Sequence, residues 1–320
     1  MKVLNYLRCI RCDAEDSLGI QDDTETGIFC KNCKASYRVI HSIPRLMHDE
    51  GYTHSFAVEW SRHQFTQYDH YYGKKLSEER FFNETGWDKD LSQQIIIEAG
   101  CGSGRFTEWA LSTGAVVLSF DLSNAVEVNH RNNGDHPNLF LVQADLFNIP
   151  FKKGMADKLF CFGVLQHTPS PKNALYSLIP YVKENGGTIV FDIYLKKFHT
   201  KYFIRPFLKT VPPEILYKLC KNWVNSMWPL ASILRKISPQ YGPRLNWQLM
   251  IADHSREGVP KEKLREWSYL DTFDMLSPRY DRPATLREVE GWLEKLRREN
   301  EIKKFSLKYG YNGINGKIYR

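Results

Sequence analysis

The strongest constraint on the fold lies between residues 94 and 105. Gln94-Ile95-Ile96-Ile97 is a β-branched run, followed at once by Glu98-Ala99-Gly100-Cys101-Gly102-Ser103-Gly104 and then by a helical pattern starting near Arg105. A run without polar alternation predicts a strand buried on both faces, which is the habit of a parallel sheet covered by helices. Strand, glycine turn and helix thus follow in order. Gly100 and Gly102 let the backbone come close to a ligand where any side chain would collide with it.

Four further runs repeat the strand signal. Ala115–Phe120 ends in Asp121, 23 residues after Glu98; Leu139–Val142 leads to Asp145; Ala156–Phe162 leads to Gly163-Val164-Leu165-Gln166-His167-Thr168-Pro169; and Thr188–Tyr194 follows Asn185-Gly186-Gly187. Five strands with helical room between them predict a doubly wound α/β sheet. The polar candidates all fall at carboxyl ends of strands, where such sheets bind ligands. There Asp121 and Asp145 offer carboxylate acceptors to whatever binds.

A dinucleotide fingerprint G-x-G-x-x-G needs glycine at position 105, which is Arg105, so a nicotinamide cofactor is disfavoured. Glu98 through Gly104 instead matches E-x-G-x-G-x-G, the first motif of class I methyltransferases. The stretch 56–194 resembles that family, in particular a bacterial subgroup reading G-V-L-x-H-T-P after the fourth strand. The resemblance implies a seven-stranded, mostly parallel sheet with an antiparallel last strand and S-adenosylmethionine as cofactor. It implies cofactor contacts at Glu98, Gly100, Cys101, Gly102, Arg105, Asp121, Leu122, Asp145, Leu146 and Phe162. His167 is the candidate catalytic base for a hydroxyl acceptor; the competing role is to orient the loop after the fourth strand. Phe162-Gly163-Val164-Leu165 stands where base N-methylating enzymes carry an N-P-P-Y-like tetrad, which disfavours that chemistry.

Cys9-Ile10-Arg11-Cys12 and Cys30-Lys31-Asn32-Cys33 form two C-x2-C knuckles. Two such turns bring four thiolates onto one ion and leave no place for water, so Cys9, Cys12, Cys30 and Cys33 predict structural zinc. With the strand Tyr37–Ile40 and the closing Ser42–Leu46, the segment resembles the zinc ribbon of the tRNA-methyltransferase activator type. Cys101, Cys161 and Cys220 are far apart and do not form a disulfide framework.

The expected organisation is a zinc ribbon over 1–47, a helical connector over 48–93, a methyltransferase core over 94–195 and 280–320, and a helical insert over 196–279. In the connector, Phe56, Trp60 and Phe65 have near-helical spacing, which predicts helices packed on the next domain; the alternative is that part of it closes over a cofactor pocket, with Arg80 available for a carboxylate. Residues 284–299 predict an amphipathic helix, and 302–307 and 316–320 two closing strands. Within the insert, Asp271, Asp274 and, just beyond it, Tyr280 belong to a stretch resembling one seen late in the same subgroup, which puts them beside the acceptor.

Charge is uneven. The chain carries 44 Lys/Arg and 37 Asp/Glu, and residues 196–270 hold 14 of the former against 5 of the latter, so that +9 sits there and −2 elsewhere. Mixed basic and aromatic sequence of this kind can bind nucleic acid, a phosphorylated sugar carrier or a membrane surface; the alternative is a helical cap with a solvated basic face. Neither a signal peptide nor an apolar run of about 18 residues is found, which predicts a cytoplasmic protein. The expected activity is methyl transfer to a small or carrier-linked acceptor, such as a sugar or metabolite hydroxyl. The rivals are an RNA methyltransferase gripping phosphates through ribbon and insert, and a non-catalytic cofactor-binding subunit.

Overall fold

The computed structural model describes residues 1–20, 27–47 and 51–320, and the chain divides into two compact units. The first contains Met1–Gly51, Ser77–Lys196 and Tyr280–Arg320; the second contains Tyr52–Leu76 and Lys197–Arg279. The expected connector is therefore shared, its residues 52–76 grouping with the insert and 77–93 with the sheet. Residues 48–50, at the expected ribbon boundary, lie outside the described ones.

The strands are β1 (Leu18–Ile20), β2 (Gly27–Cys30), β3 (Ser36–Ile40), β4 (Ile43–Leu46), β5 (Ile95–Ala99), β6 (Val116–Asp121), β7 (Leu139–Ala144), β8 (Lys158–Cys161), β9 (Thr188–Tyr194), β10 (Lys304–Gly310) and β11 (Gly313–Tyr319). The helices are α1 (His54–Arg62), α2 (Asp69–Tyr72), α3 (Leu76–Thr85), α4 (Arg105–Ser112), α5 (Ala125–Asn133), α6 (Pro171–Leu178), α7 (Lys201–Leu208), α8 (Pro213–Ile237), α9 (Gly242–Gln248), α10 (Lys261–Leu276) and α11 (Leu286–Arg298).

In the first unit all the strands join one sheet in the order β1-β2-β3-β4-β7-β6-β5-β8-β9-β11-β10. The expected seven strands are corrected to eleven among the described residues, and the sheet is mixed. β4 to β9 pair in parallel, while β11 runs antiparallel between β9 and β10. The central strands are buried on both faces, and successive residues turn to opposite sides, as pleating requires. Ile97, Ala99, Leu118 and Phe120 face one cluster with Leu175 of α6 and Leu293 of α11. Ile96, Val117, Phe160 and Val190 face another with Phe81 of α3, Phe106 of α4 and Val126 of α5.

The four extra strands come from the cysteine-bearing segment, which is not a separate body. β4 lies beside β7, with Arg45 opposite Gln143 and Leu46 opposite Ala144. Leu7, Ile10 and Leu46 enter the α6/α11 cluster, and Ile43 the other. Two buried cations seal the joint. Arg45 pairs with Glu127 and donates to Gln143 Oε1 at 2.8 Å; Arg8 donates to Tyr181 Oη at 2.8 Å and Asn148 Oδ1 at 3.0 Å. The open edge of β7 has unspent backbone groups, and the ribbon supplies their partners.

The second unit is helical among its described residues. α1, α8 and α10 enclose Val58, Leu216, Tyr217, Cys220 and Phe273. Beside them, His254 is buried with Nδ1 at 2.7 Å from Glu257 and Nε2 at 2.5 Å from Asp271, and its ring stacks on Trp267. Burial alone lowers its pKa, but the two carboxylates outweigh burial and push it up to about 10.

Candidate functional site

The carboxyl ends of β5 and β6 are locked together by the glycine loop. Gly100 and Cys101 donate their N–H groups to the Phe120 carbonyl at 2.8 and 3.1 Å, and Gly102 N–H donates to Asp121 Oδ2 at 3.0 Å. Gly100, at φ +80°, passes so close to Val164 that a Cβ would strike its side chain. Gly104, at φ +93°, caps α4, and a Cβ there would collide with the amides of Asn129 and Asn133. Both positions combine left-handed backbone with no room for a side chain, which only glycine satisfies.

Glu98 closes a network beneath this loop. Its buried Oε2 accepts from Thr107 Oγ1 at 2.5 Å and Ser119 Oγ at 2.7 Å, and Asn129 Nδ2 donates to Thr107 at 2.8 Å. Burial raises the Glu98 pKa to about 7, against the lowering pull of the two hydroxyls. The residues that complete this network, Thr107, Ser119 and Asn129, were not singled out in the sequence; polar residues on α4, β6 and α5 carry no signal until the fold brings them under one carboxyl.

Asp121, at the end of β6, is half-buried. Besides Gly102, it accepts from Ser123 N–H at 2.8 Å and Ser123 Oγ at 2.7 Å through Oδ1. Burial raises its pKa, and the Gly102 and Ser123 donors oppose that rise. Asp145 follows β7 and accepts from Phe147 N–H at 2.9 Å, capping a short 3-10 turn. Leu122, Leu146, Cys101, Phe162 and Arg105 are all buried; the Phe162 ring packs on Phe106 at 5.4 Å, and the Arg105 guanidinium lies 4.3 Å from the same Phe106 ring. Burial pushes the Cys101 thiol well up, which fits an inert core residue.

Arg80 is not available to a ligand carboxylate in the way the sequence implied. Its Nη2 donates to Asp192 Oδ2 at 2.6 Å and its Nε to Glu84 Oε2 at 3.2 Å. Asp192 also accepts from Gly163 N–H at 2.6 Å, tying β9 to the loop after β8. Its pKa is raised to about 6 by burial, opposed by Arg80. The signal for this cluster was an acid inside the apolar run of β9. His167, in the turn that follows, is buried; its Nδ1–H donates to the Tyr280 carbonyl at 3.1 Å and its ring meets Tyr194 edge-on. Tyr280 thus belongs to the first unit, whereas Asp271 and Asp274 lie in the second.

The four knuckle cysteines converge. Their sulfurs all lie within 4.8 Å of one another, Cys9 and Cys33 at 3.6 Å and Cys12 and Cys30 at 3.8 Å. With zinc–sulfur bonds of about 2.3 Å, a regular tetrahedron has edges of about 3.8 Å, so the set fits such an ion. The two knuckles are built alike: Asp13 N–H donates to Cys9 O and Lys34 N–H to Cys30 O, and both Asp13 and Lys34 have positive φ. Around the sulfurs, Tyr37 Oη lies 3.1 Å from Cys9 and Ser17 Oγ 3.3 Å from Cys30. Hydrogen bonds of this kind fix thiolate orientation and temper their charge.

Residues 97–191 match the family described as Methyltransferase domain. Two uncharacterized chloroplastic methyltransferases of Arabidopsis thaliana are similar. One is 26% identical over 41% of this chain and 40% of its own length; the other is 30% identical over 38% and 36%. The chain thus spans about two fifths of the curated relatives it matches. Among solved structures, one described as an S-adenosyl-L-methionine-dependent methyltransferase from Methanococcus maripaludis is 15% identical, with 85% of this chain and 93% of that chain covered and a TM-score of 0.44.

Proposed function

We propose that this protein binds S-adenosylmethionine at the carboxyl ends of β5 to β8 and transfers its methyl group to a small or carrier-linked acceptor, with zinc holding the ribbon. One observation carries the donor site. The Asp121 carboxylate stands at the end of β6 and is bonded to the backbone of the very loop, Gly100–Gly104, that a nucleoside would lie against. The residues fit the group: a glycine loop without side chains offers close approach, and a half-buried carboxylate offers paired acceptors to two hydroxyls.

Bound S-adenosylmethionine supplies a methyl group already attached to a sulfonium leaving group. The demand on the protein is therefore position rather than bond-breaking power. Glu98 holds the loop from beneath through Thr107 and Ser119, while Asp121 would accept from the ribose, Asp145 from the adenine amino group, and Phe162 would line the pocket. His167 acts as a positioning residue, because its Nδ1–H is used on the Tyr280 carbonyl and its ring is buried against Tyr194. The four thiolates would hold zinc in a closed shell that leaves no position on the ion for a reactant.

Asp121→Ala should weaken S-adenosylmethionine binding by about 1–3 kcal/mol, the worth of charge-assisted hydrogen bonds, as read by calorimetry. Unchanged affinity in a folded variant removes Asp121 from the site. For the acceptor, labelled S-adenosylmethionine incubated with fractionated extract shows whether label enters glycan, lipid, small metabolite or RNA. His167→Ala should weaken donor binding and leave turnover at saturating donor nearly intact; a turnover loss of about a hundredfold or more with normal affinity would make it the general base instead.

A further inference from the structure

Thirteen of the nineteen exposed large apolar side chains among the described residues fall in one stretch, Phe198–Leu245. On α8 they are Ile215, Leu219, Trp223, Leu230, Ile233 and Ile237. At about 100° per residue these six positions fall within about 80° of arc, so they form one stripe. From Ile215 to Ile237 the stripe runs for about 33 Å at 1.5 Å per residue. The packed side of α8 is a different one, carrying Leu216, Cys220, Val224 and Ala231. The helix therefore has two apolar faces, and only one is needed for its own core.

The neighbouring helices continue the feature. Phe203 and Phe207 of α7, with Phe198 just before it, are 67–76% exposed, and Leu245 of α9, with Tyr241 just before that helix, adds to them. α9 is bound to α8 through Asn246 Nδ2 to the Ala231 carbonyl at 3.1 Å, and Thr200, capping α7, donates its N–H to Gln248 at 3.1 Å. Residues 196–245 carry ten Lys/Arg and a single acid, Glu214. Lys196, Lys197, Lys209, Lys218, Lys221, Lys236 and Arg244 are exposed.

We propose that this face of the second unit, centred on the outer stripe of α8, docks onto an anionic membrane surface. Aliphatic and aromatic side chains flanked by lysines enter the headgroup region while the lysines meet acidic lipid. Nucleic acid is the poorer fit, since Ile215, Ile233 and Ile237 bring nothing to a phosphate backbone. A second copy of the chain would bring the same cations against one another. The surface is interfacial, because no helix among the described residues is long and apolar enough to cross a membrane.

The test is flotation of the full-length protein with vesicles of phosphatidylcholine alone or mixed with phosphatidylglycerol. Wild type should float with the mixed vesicles and be released by salt. The triple change Leu219→Ser, Ile233→Ser, Ile237→Ser should weaken that binding by about tenfold or more, since it removes apolar area from the interface. Lys218→Glu with Lys236→Glu, which touches no core position, should abolish the preference for acidic lipid. Failure to float on either vesicle, or equal flotation of the triple variant, would overturn the proposal. So would a wild-type dimer dissolved by the stripe change, or retention of RNA with none of vesicles. S-adenosylmethionine affinity measured on the same variants should not move; loss of donor binding in wild type would indict the donor site and leave the surface result standing.

Discussion

Replacing Glu98 by glutamine tests the buried network under the glycine loop. Glu98 is 2% exposed, and burial raises its pKa from 4.5 to about 7 despite two hydroxyl donors. In the unfolded chain the carboxyl ionises at its ordinary value, so between the two pKa values the folded state binds the extra proton. Stability therefore falls as pH rises: the protonated form is favoured by folding, and that advantage is gone above the folded pKa. Each tenfold difference in proton affinity is worth about 1.4 kcal/mol, and integrating between about pH 5 and pH 8 gives about 2.5 kcal/mol lost by wild type. Glutamine keeps an acceptor for Thr107 and Ser119 and has no proton to lose. Urea unfolding of both proteins across that range should show the variant gaining on wild type by roughly that amount as pH rises. Other carboxylates titrate alike in the two proteins and cancel in the difference. A difference that does not change with pH would refute the reasoning, because it would mean that Glu98 has the same proton affinity folded and unfolded.

Gly104→Ala should destabilise the first unit by about 2–4 kcal/mol, read as a lowered melting temperature, since a Cβ at φ +93° meets the Asn129 and Asn133 amides as well as backbone strain. Metal analysis should find one zinc per chain, and Cys30→Ser or a strong chelator should lower the melting of the whole first unit rather than of a detached ribbon, because β4 is a strand of the same sheet; a fall confined to a separate early transition would contradict this. Glu59→Gln in α1 should raise stability near neutral pH by about 1 kcal/mol or more. Glu59 is buried with Oε2 lacking a partner, and burial, then Asp274 and Asp271, raise its pKa well above the ordinary value, so its cost grows as pH climbs past the unfolded pKa. Equal denaturation midpoints for both proteins at neutral pH would remove that cost.

The sheet strands and the helix after the glycine loop were legible because each rests on local pattern. A β-branched run such as Ile95-Ile96-Ile97 has only one comfortable home, and the positive φ at Gly100 and Gly104 follows from residues that no other type replaces. The knuckle cysteines were equally plain, since a two-residue spacer already sets the sulfur separation. What stayed hidden was every pairing between distant segments. Nothing near Arg80 named its partners, yet the fold sets it between Glu84 and Asp192, the latter more than a hundred residues further on. The ribbon read as an independent module, yet β4 completes the edge of β7, and Arg8 and Arg45 are buried in polar joints whose partners lie far along the chain. The insert read only as basic and aromatic helical sequence, and packing alone showed which of the two apolar faces of α8 is spent on the core. Local sequence fixes backbone preference and side-chain type. Which polar groups share a buried site, and which apolar face is left to the solvent, depends on the long-range order of strands and helices, and that order is settled only when the whole chain is packed.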